Sequence, residues 1–506
     1  MSRLRTAVLL LGASLVTVWS GSFQAQTSPR PEGTLVFYPP NSNPTVVEGM
    51  TLIDGVSDTP IQDAVMVIEN GTIKSVGRRS TVTIPAGAQR INAAGKTIMP
   101  GIVALHAHVG RNRADLYPNL VDKDVLAWGP GAVQQTRESI QRAANAYLYY
   151  GVTHNISLGY DQQPMIDFML EQRAGKVAGA RIYSAGTGYA VKEYRPDDPD
   201  LHRPTTPEEA RAMVRMEAAK NLGTPSFTKF WVDDSRSLPK LTPEVYGAII
   251  DESKKHRKKT VVHAFSLEDG KELMRRGVDA ITHTVQQPVD EEYLRLAKER
   301  NVTMIFDILR ANESSDYIDD LRLPLLFPAS VLQVVRQRES PNERESQDRA
   351  ASAANLTRMR TITAAARAAG ITDQIYVTTD LREINALSLR QAARMAAAGV
   401  TFAIGSDSGE PQNFSGQSEH REMETLVNGG IPPMQVLKAA TANGAKFLGI
   451  DKTHGTLVPG RMANFLVLGA NPLTDMRNSR NIEAVWVNGT PVDRTALERR
   501  PGPSSQ

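Results

Sequence analysis

Eight short apolar runs, most of them followed by a helical pattern, occupy the middle of this 506-residue chain. They are Gly101–Leu105, Gly151–Leu158, Ala180–Ser184, Ser226–Val232, Thr260–His263, Ala280–His283, Thr303–Ile308 and Thr401–Gly405. Helices fit between them, as at Pro207–Asn221, Pro243–Lys255 and Leu267–Arg276. Alternation of this kind demands parallel strand pairing, because each helix returns the chain to the edge it started from. Eight units predict an α/β fold, a closed (β/α)8 TIM barrel, with its site at the C-terminal ends of the strands. The interval between the seventh and eighth strands is too long for one crossover, so an inserted helical segment is expected over 310–395. Its charged run, Arg336 to Arg349, reads as a solvated helix face.

The barrel is expected over 99–455. Short apolar runs split by turns flank it on both sides: Thr51–Gly55, Ala64–Gly71 and Thr72–Gly77 before it, Asn464–Leu468 and Ala484–Gly489 after it. Asn70-Gly71 between two such runs is a hairpin signal. Residues 44–98 and 456–493 are therefore expected to pair into one small β-sandwich domain, with 494–506 a disordered tail. Residues 27–43, rich in Pro, Ser and Asn, read as a linker.

Residues 1–26 have the pattern of an export signal. Arg3 and Arg5 precede an apolar core from Ala7 to Trp19, and Ser20, Gly21, Ser22 and Ala25 are small enough for a peptidase. The expectation is a periplasmic or secreted protein with no membrane attachment after cleavage. The net charge is +3 and the basic residues are scattered, which gives no reason to expect nucleic acid as a partner. The chain has no cysteine, so disulfides, thiolate ligands and cysteine nucleophiles are excluded. Any metal must be held by imidazole and oxygen.

Polar residues recur where the barrel strands end. The first strand runs into His106-Ala107-His108, whose two imidazoles project to one side because successive strand residues alternate in direction. Lys229 lies within the fourth strand, His263 ends the fifth, His283 ends the sixth and Asp407 follows the eighth. Four of the nine histidines fall at these places. Neutral imidazoles and a carboxylate suit divalent zinc or manganese. A lysine inside an apolar strand is costly to bury as ammonium and becomes nucleophilic as the free amine. Such an amine can add carbon dioxide to form a carbamate able to bridge two metals.

In order and type, these six residues resemble the metal-ligand pattern of the amidohydrolase superfamily. Val261-Val262-His263-Ala264, Gly277–His283, Gly405–Gly409 and His420–Glu424 are similar to its imidazolonepropionase-like and Xaa-Pro dipeptidase (prolidase) branch, and Ala440–Asn443 with Gly460–Asn464 resembles its return into the β domain. The resemblance spans Thr51 to Gly489. It implies two divalent ions, zinc being the expected one, with N6-carboxylysine at Lys229. His106, His108 and Asp407 would hold one ion, His263 and His283 the other, with Lys229 and a water bridging them. Asp407 would be the general base in attack of a metal-activated bridging hydroxide on an amide, peptide or cyclic amide C–N bond.

Three positions depart from the pattern: Thr282 replaces a Glu common in relatives, Asn464 an Asp, and His154 a Thr. Substrate choice is expected from the loops. Arg111, Arg113, Tyr117 and Trp128 lie on the first, Tyr189, Lys192 and Tyr194 on the third, Asp233 and Asp234 on the fourth. Arg111, Tyr117, Tyr189 and His420 are the candidate substrate contacts, and an Arg could hold the carboxylate of a dipeptide or N-acyl amino acid. The alternatives are a mononuclear deaminase or imidazolone-type hydrolase, a lactone or phosphotriester hydrolase, or a non-catalytic barrel scaffold. A homo-oligomer stays open.

Overall fold

The computed structural model describes residues 31–41, 43–111, 135–194, 198–220, 222–223, 225–232, 239–308, 381–409 and 413–498. The expected export signal, most of the expected insertion, Arg113, Tyr117, Trp128, Asp233, Asp234 and residues 499–506 of the tail lie outside the described residues. The first part of that tail, expected as disordered, is instead a short helix, Arg494–Glu498, held by burial of Leu497 and by Arg494 donating to the Tyr149 and Ile482 carbonyls. The described elements belong to one compact unit, Glu32–Gln506.

The chain first builds β1 (Thr45–Leu52), β2 (Ile61–Glu69), β3 (Thr72–Arg78), β4 (Gln89–Asn92) and β5 (Thr97–Pro100). Asn70 and Gly71 form the two-residue turn between β2 and β3, both at positive φ (50° and 77°). That geometry matches strand twist, which is why Asn-Gly turns the chain there. The chain returns at its other end as β14 (Phe465–Leu468), β15 (Ile482–Val487) and β16 (Thr490–Pro491). β14 runs antiparallel to β5, so both ends share one eight-stranded sheet. It branches at β1, whose first half pairs with β4 and second half with β5. Its core includes Met66, Ile98, Phe465 and Trp486, the last two stacked at 5.2 Å.

Between these ends lie the eight parallel barrel strands: β6 (Ile102–Val103), β7 (Val152–Ser157), β8 (Arg181–Ser184), β9 (Ser226–Val232), β10 (Lys258–Ala264), β11 (Ala280–Thr282), β12 (Thr303–Phe306) and β13 (Phe402–Ile404). Helices α1 (Arg137–Tyr149), α2 (Gln163–Arg173), α3 (Pro207–Ala219), α4 (Pro243–Lys255), α5 (Leu267–Arg276), α6 (Glu291–Glu299), α7 (Leu381–Ala397) and α8 (Gln417–Asn428) follow them in turn. Capping sets several starts. Thr206 and Glu209 form a reciprocal box before α3, and Thr242 caps α4 with Pro243 in its first turn. β6 closes on β13 through Leu105 N–H to the Ile404 carbonyl (2.9 Å).

Strand alternation sorts the interior. Phe227, Val261, Ala280, Ile305 and Ala403 meet along the barrel axis, while Phe230, Val262, Ile281, Met304 and Ile404 pack outward in the main core. Two residues further along the same inward rows come Lys229, His263, Thr282 and Asp307. The barrel's packed floor thus sets where the chemistry sits.

The stretch expected as a linker is, from Glu32 to Asn41, a packed strap. His154, the second-strand departure, donates from Nε2 to the Gly33 carbonyl (2.8 Å), and Asn488 donates to the Leu35 and Tyr38 carbonyls. Burial pushes the His154 imidazole down to about 4, so it is neutral here near pH 7. Among the described residues, no helix is long and apolar enough to cross a membrane.

Candidate metal centre

His106 and His108 reach the barrel mouth because Ala107 between them is tied into both neighbouring strands. Its N–H donates to the Ile156 carbonyl (3.1 Å), and His108 N–H donates to Ser408 (2.7 Å). Glycine makes this approach possible. A side chain at Gly405 would meet the His106 Cβ at 2.6 Å, and one at Gly409 (φ +104°) would collide with the His108 carbonyl.

His283 and Asp407 both hold left-handed backbone conformations (φ 68° and 52°) just past their strands. Non-glycine residues persist there only when the surroundings hold them, and such residues cluster at functional sites. For His283 the conformation has a visible use. It breaks strand alternation, so adjacent residues both serve the centre: Thr282 Oγ1 accepts from Lys229 Nζ (3.1 Å), and His283 turns to Asp307.

The structure brings together His106, His108, Lys229, His263, His283 and Asp407, all nearly inaccessible to solvent. Asp407 Oδ1 lies 3.3 Å from His106 Nε2 and 3.2 Å from His108 Nε2. His283 Nε2 faces His263 Nδ1 at 2.7 Å. One atom each of His106, His283 and Asp407 lie within 4.8 Å of one another. His106 Nε2 and Asp407 Oδ1 are buried and make no hydrogen bond. Orphaned buried acceptors facing each other across a few ångströms fit a divalent cation.

The electrostatics agree. Burial pushes the Asp407 carboxyl up, but His106, His108 and His283 outweigh it and hold it well below the usual carboxylate range. Burial lowers the His106 imidazole, and the Lys229 charge adds to that against Asp407 and Asp307. Near neutral pH this leaves an ionised oxygen ligand and a neutral nitrogen ligand.

Sequence reasoning missed Asp307. Its Oδ2 is 2.5 Å from His106 Nδ1 and its Oδ1 is 2.5 Å from His283 Nδ1. Because a carboxylate only accepts, both imidazoles carry their proton on Nδ1 and present Nε2 as a lone pair. The available signal was alternation: Asp307 is two residues beyond inward-facing Ile305 in the seventh strand.

The candidate substrate contacts are placed differently. His420 is not at the centre: its ring nitrogens lie 2.9 Å from Ser479 Oγ and 2.7 Å from the Tyr150 carbonyl. Arg111 is buried over the Tyr160 ring (4.4 Å) and pairs with Asp198 (3.2 Å) and Asp200 (3.5 Å), so two carboxylates already face its charge. Tyr189 is buried beside His202, and its backbone pairs with the Lys229 strand through Tyr189 N–H to the Lys229 carbonyl (3.0 Å). Tyr160 itself comes close to the centre, 5.3 Å from the His108 ring and 4.8 Å from Trp231.

Behind Asp407, Ser406 Oγ donates to Glu419 (2.6 Å), as does Gly416 N–H (2.8 Å). Burial nevertheless pushes the Glu419 carboxyl up to about 7. The folded state therefore binds a proton that the unfolded chain releases near pH 4.5. The resulting stability is present below that pH and is lost as pH rises to about 7. Compared with Glu419→Gln, the wild type should lose up to about 3 kcal/mol of unfolding free energy across that window. Urea unfolding at pH 4.5 and 7.5 checks this, and a difference that does not change with pH would sink it.

A family model for the amidohydrolase family matches residues 97–492. The chain belongs to the amidohydrolase family. Among curated proteins it is similar to an imidazolonepropionase from Flavobacterium psychrophilum, 31% identical over 104 residues, covering 19% of this chain and 25% of that one. It is also similar to a dihydroorotase from Ligilactobacillus salivarius, 25% identical over 150 residues, covering 26% and 35%. The chain thus spans a quarter to a third of the length of these two relatives. Among solved structures, it resembles a putative prolidase from Bifidobacterium longum with a TM-score of 0.64 and 22% identity, over 90% of this chain and 98% of that one. A molinate hydrolase gives the same TM-score at 20% identity, over 93% and 99%. At these identities the likeness shows the fold, a TIM barrel with a separate sheet domain.

Proposed function

We propose that this chain is an exported metal-dependent hydrolase of carbon–nitrogen bonds, acting on an amide, peptide or cyclic amide in a dipeptide-like or N-acyl amino acid-like substrate. The observation that carries the reading is the pair of buried acceptors, His106 Nε2 and Asp407 Oδ1, which face each other without a hydrogen bond. Export rests on the sequence pattern of residues 1–26.

In this reading His106, His108 and Asp407 would hold one divalent ion, and His263 and His283 a second, with zinc the first choice. Lys229, completely buried beside them, would supply an oxygen ligand as its carbamate, since burial disfavours the charged amine and the free amine can take up carbon dioxide. The ions supply Lewis acidity toward the scissile carbonyl and an acidified water. Asp407 would accept a proton from the attacking water and pass it to the leaving nitrogen, freeing an amine and a carboxylic acid. Tyr160, Trp231 and Phe265 surround the centre with rings that exclude bulk water.

The deaminase reading has the curated relatives in its favour, but among the described residues no carboxylate directly follows the fifth strand. Phe265 there packs on the His263 and His283 rings at 4.5 and 5.2 Å. Glu268, itself exposed, pairs with the buried Lys271 (2.8 Å). Dialysis against a chelator should abolish hydrolysis of a panel of dipeptides and N-acyl amino acids, and zinc or manganese should restore it. Turnover surviving complete metal removal would refute the reading.

A further inference from the structure

We propose that Asp307 is a positioning residue that couples the two ion sites, so that loading one prepares the other. This rests on the metallohydrolase reading above. One carboxylate spends its two oxygens on two different imidazoles, His106 and His283, each at 2.5 Å. In that reading His106 serves the ion held with Asp407, and His283 serves the ion held with His263. The two sites therefore share one hydrogen-bonded support.

That support is rigid and dry. The Asp307 side chain is fully inaccessible, so no water can take over either hydrogen bond when it shifts. Its backbone is held on both sides. Phe306 packs in the main core, stacked on Phe402 at 5.0 Å, and Ile308 N–H donates to Glu422 (3.0 Å). A movement of His106 that completes one coordination shell must pull on Oδ2. The planar carboxylate passes that movement to Oδ1, and so to the orientation of His283. Both imidazoles also depend on this acceptor for their tautomer, because Nδ1–H toward Asp307 is what makes Nε2 the lone-pair nitrogen.

The chemistry predicts an asymmetric defect. Asparagine has the same shape but offers one accepting oxygen and one donating NH2. It can hold one imidazole in the Nδ1–H form, while the other meets a donor and moves its proton to Nε2, the atom that faces the ion. Asp307→Asn should therefore weaken one site by about 10–100-fold and spare the other, and Asp307→Ala should weaken both. Zinc titration of metal-free full-length protein against a chromophoric chelator reads both affinities, alongside thermal unfolding of the metal-free forms.

The expected result is two ions in the wild type, the second bound at least as tightly as the first. In Asp307→Asn the two affinities should separate, while unfolding of the metal-free form stays near that of wild type. A purely structural role would weaken both sites alike and lower the metal-free stability. Equal weakening, or none, in Asp307→Asn overturns the coupling. If Asp307→Ala does not fold, the isosteric Asn variant still decides. Two ions in the wild type with unaltered variants would remove only the coupling, whereas no ion in the wild type would remove the hydrolase reading too.

Discussion

Asp407→Asn is expected to lower kcat/KM for C–N bond hydrolysis by at least about 10²–10⁴-fold, the range that removal of a general base produces. The substitution keeps the side chain's shape and the left-handed backbone at φ 52° but removes the charge. Asp407 Oδ1 faces His106 Nε2 and His108 Nε2 at 3.3 and 3.2 Å. An amide in its place is a weaker ligand and cannot take a proton near neutral pH. The histidines that hold the carboxyl well below its usual range also keep it ionised for that work. Steady-state kinetics at saturating zinc, on the best substrate of the dipeptide and N-acyl amino acid panel, measure the effect. A variant within tenfold of wild type would place the base elsewhere.

The second large effect is expected at Lys229. Metal content should fall from near two ions per chain to one or fewer in Lys229→Met, with hydrolysis falling in step. Lys229 is completely buried, with its Nζ 5.4 Å from the Trp231 ring and 3.1 Å from Thr282 Oγ1. The surroundings are tight: a side chain added at Gly159 would already meet Lys229 Cγ at 3.4 Å. Lys229→Ala would leave a cavity costing about 2–5 kcal/mol, confounding loss of the nitrogen with loss of packing. Methionine fills most of the space and removes only the amine. Elemental analysis of both proteins, purified with carbon dioxide present, gives the answer. Two ions retained in Lys229→Met would take Lys229 out of the centre and return the choice to a site without a bridging lysine.

Much of this architecture was legible in the chain. α4 and α5 fall at Pro243–Lys255 and Leu267–Arg276 as their Thr242 and Ser266 caps and helical patterns require. Asn70-Gly71 makes its hairpin because only left-handed residues close that turn, a property of two adjacent residues. Five of the six proposed ligands could be singled out because each stands at or just past a strand end, and the sixth, Lys229, because it is a lysine inside an apolar strand. Contacts between distant segments were not legible. Residues 32–41 look like linker by composition, yet their backbone carbonyls are taken by His154 and Asn488, which the sequence does not place beside them. Arg111 reads as a free cation until Asp198 and Asp200, 87 and 89 residues on, close over it.

The sequence by itself determined the order of the strands and helices, the pairing of its two ends into one sheet, and the types of side chain gathered at the barrel mouth. Those follow from local propensity, from periodicity and from the rule that parallel strands need helical crossovers. Which nitrogen of His106 and of His283 faces the centre came from the folded chain alone. That choice belongs to Asp307, which lies 201 residues from His106 and 24 from His283 along the chain. A tautomer is set by whatever acceptor the other ring nitrogen meets, and that meeting exists only once the barrel has closed.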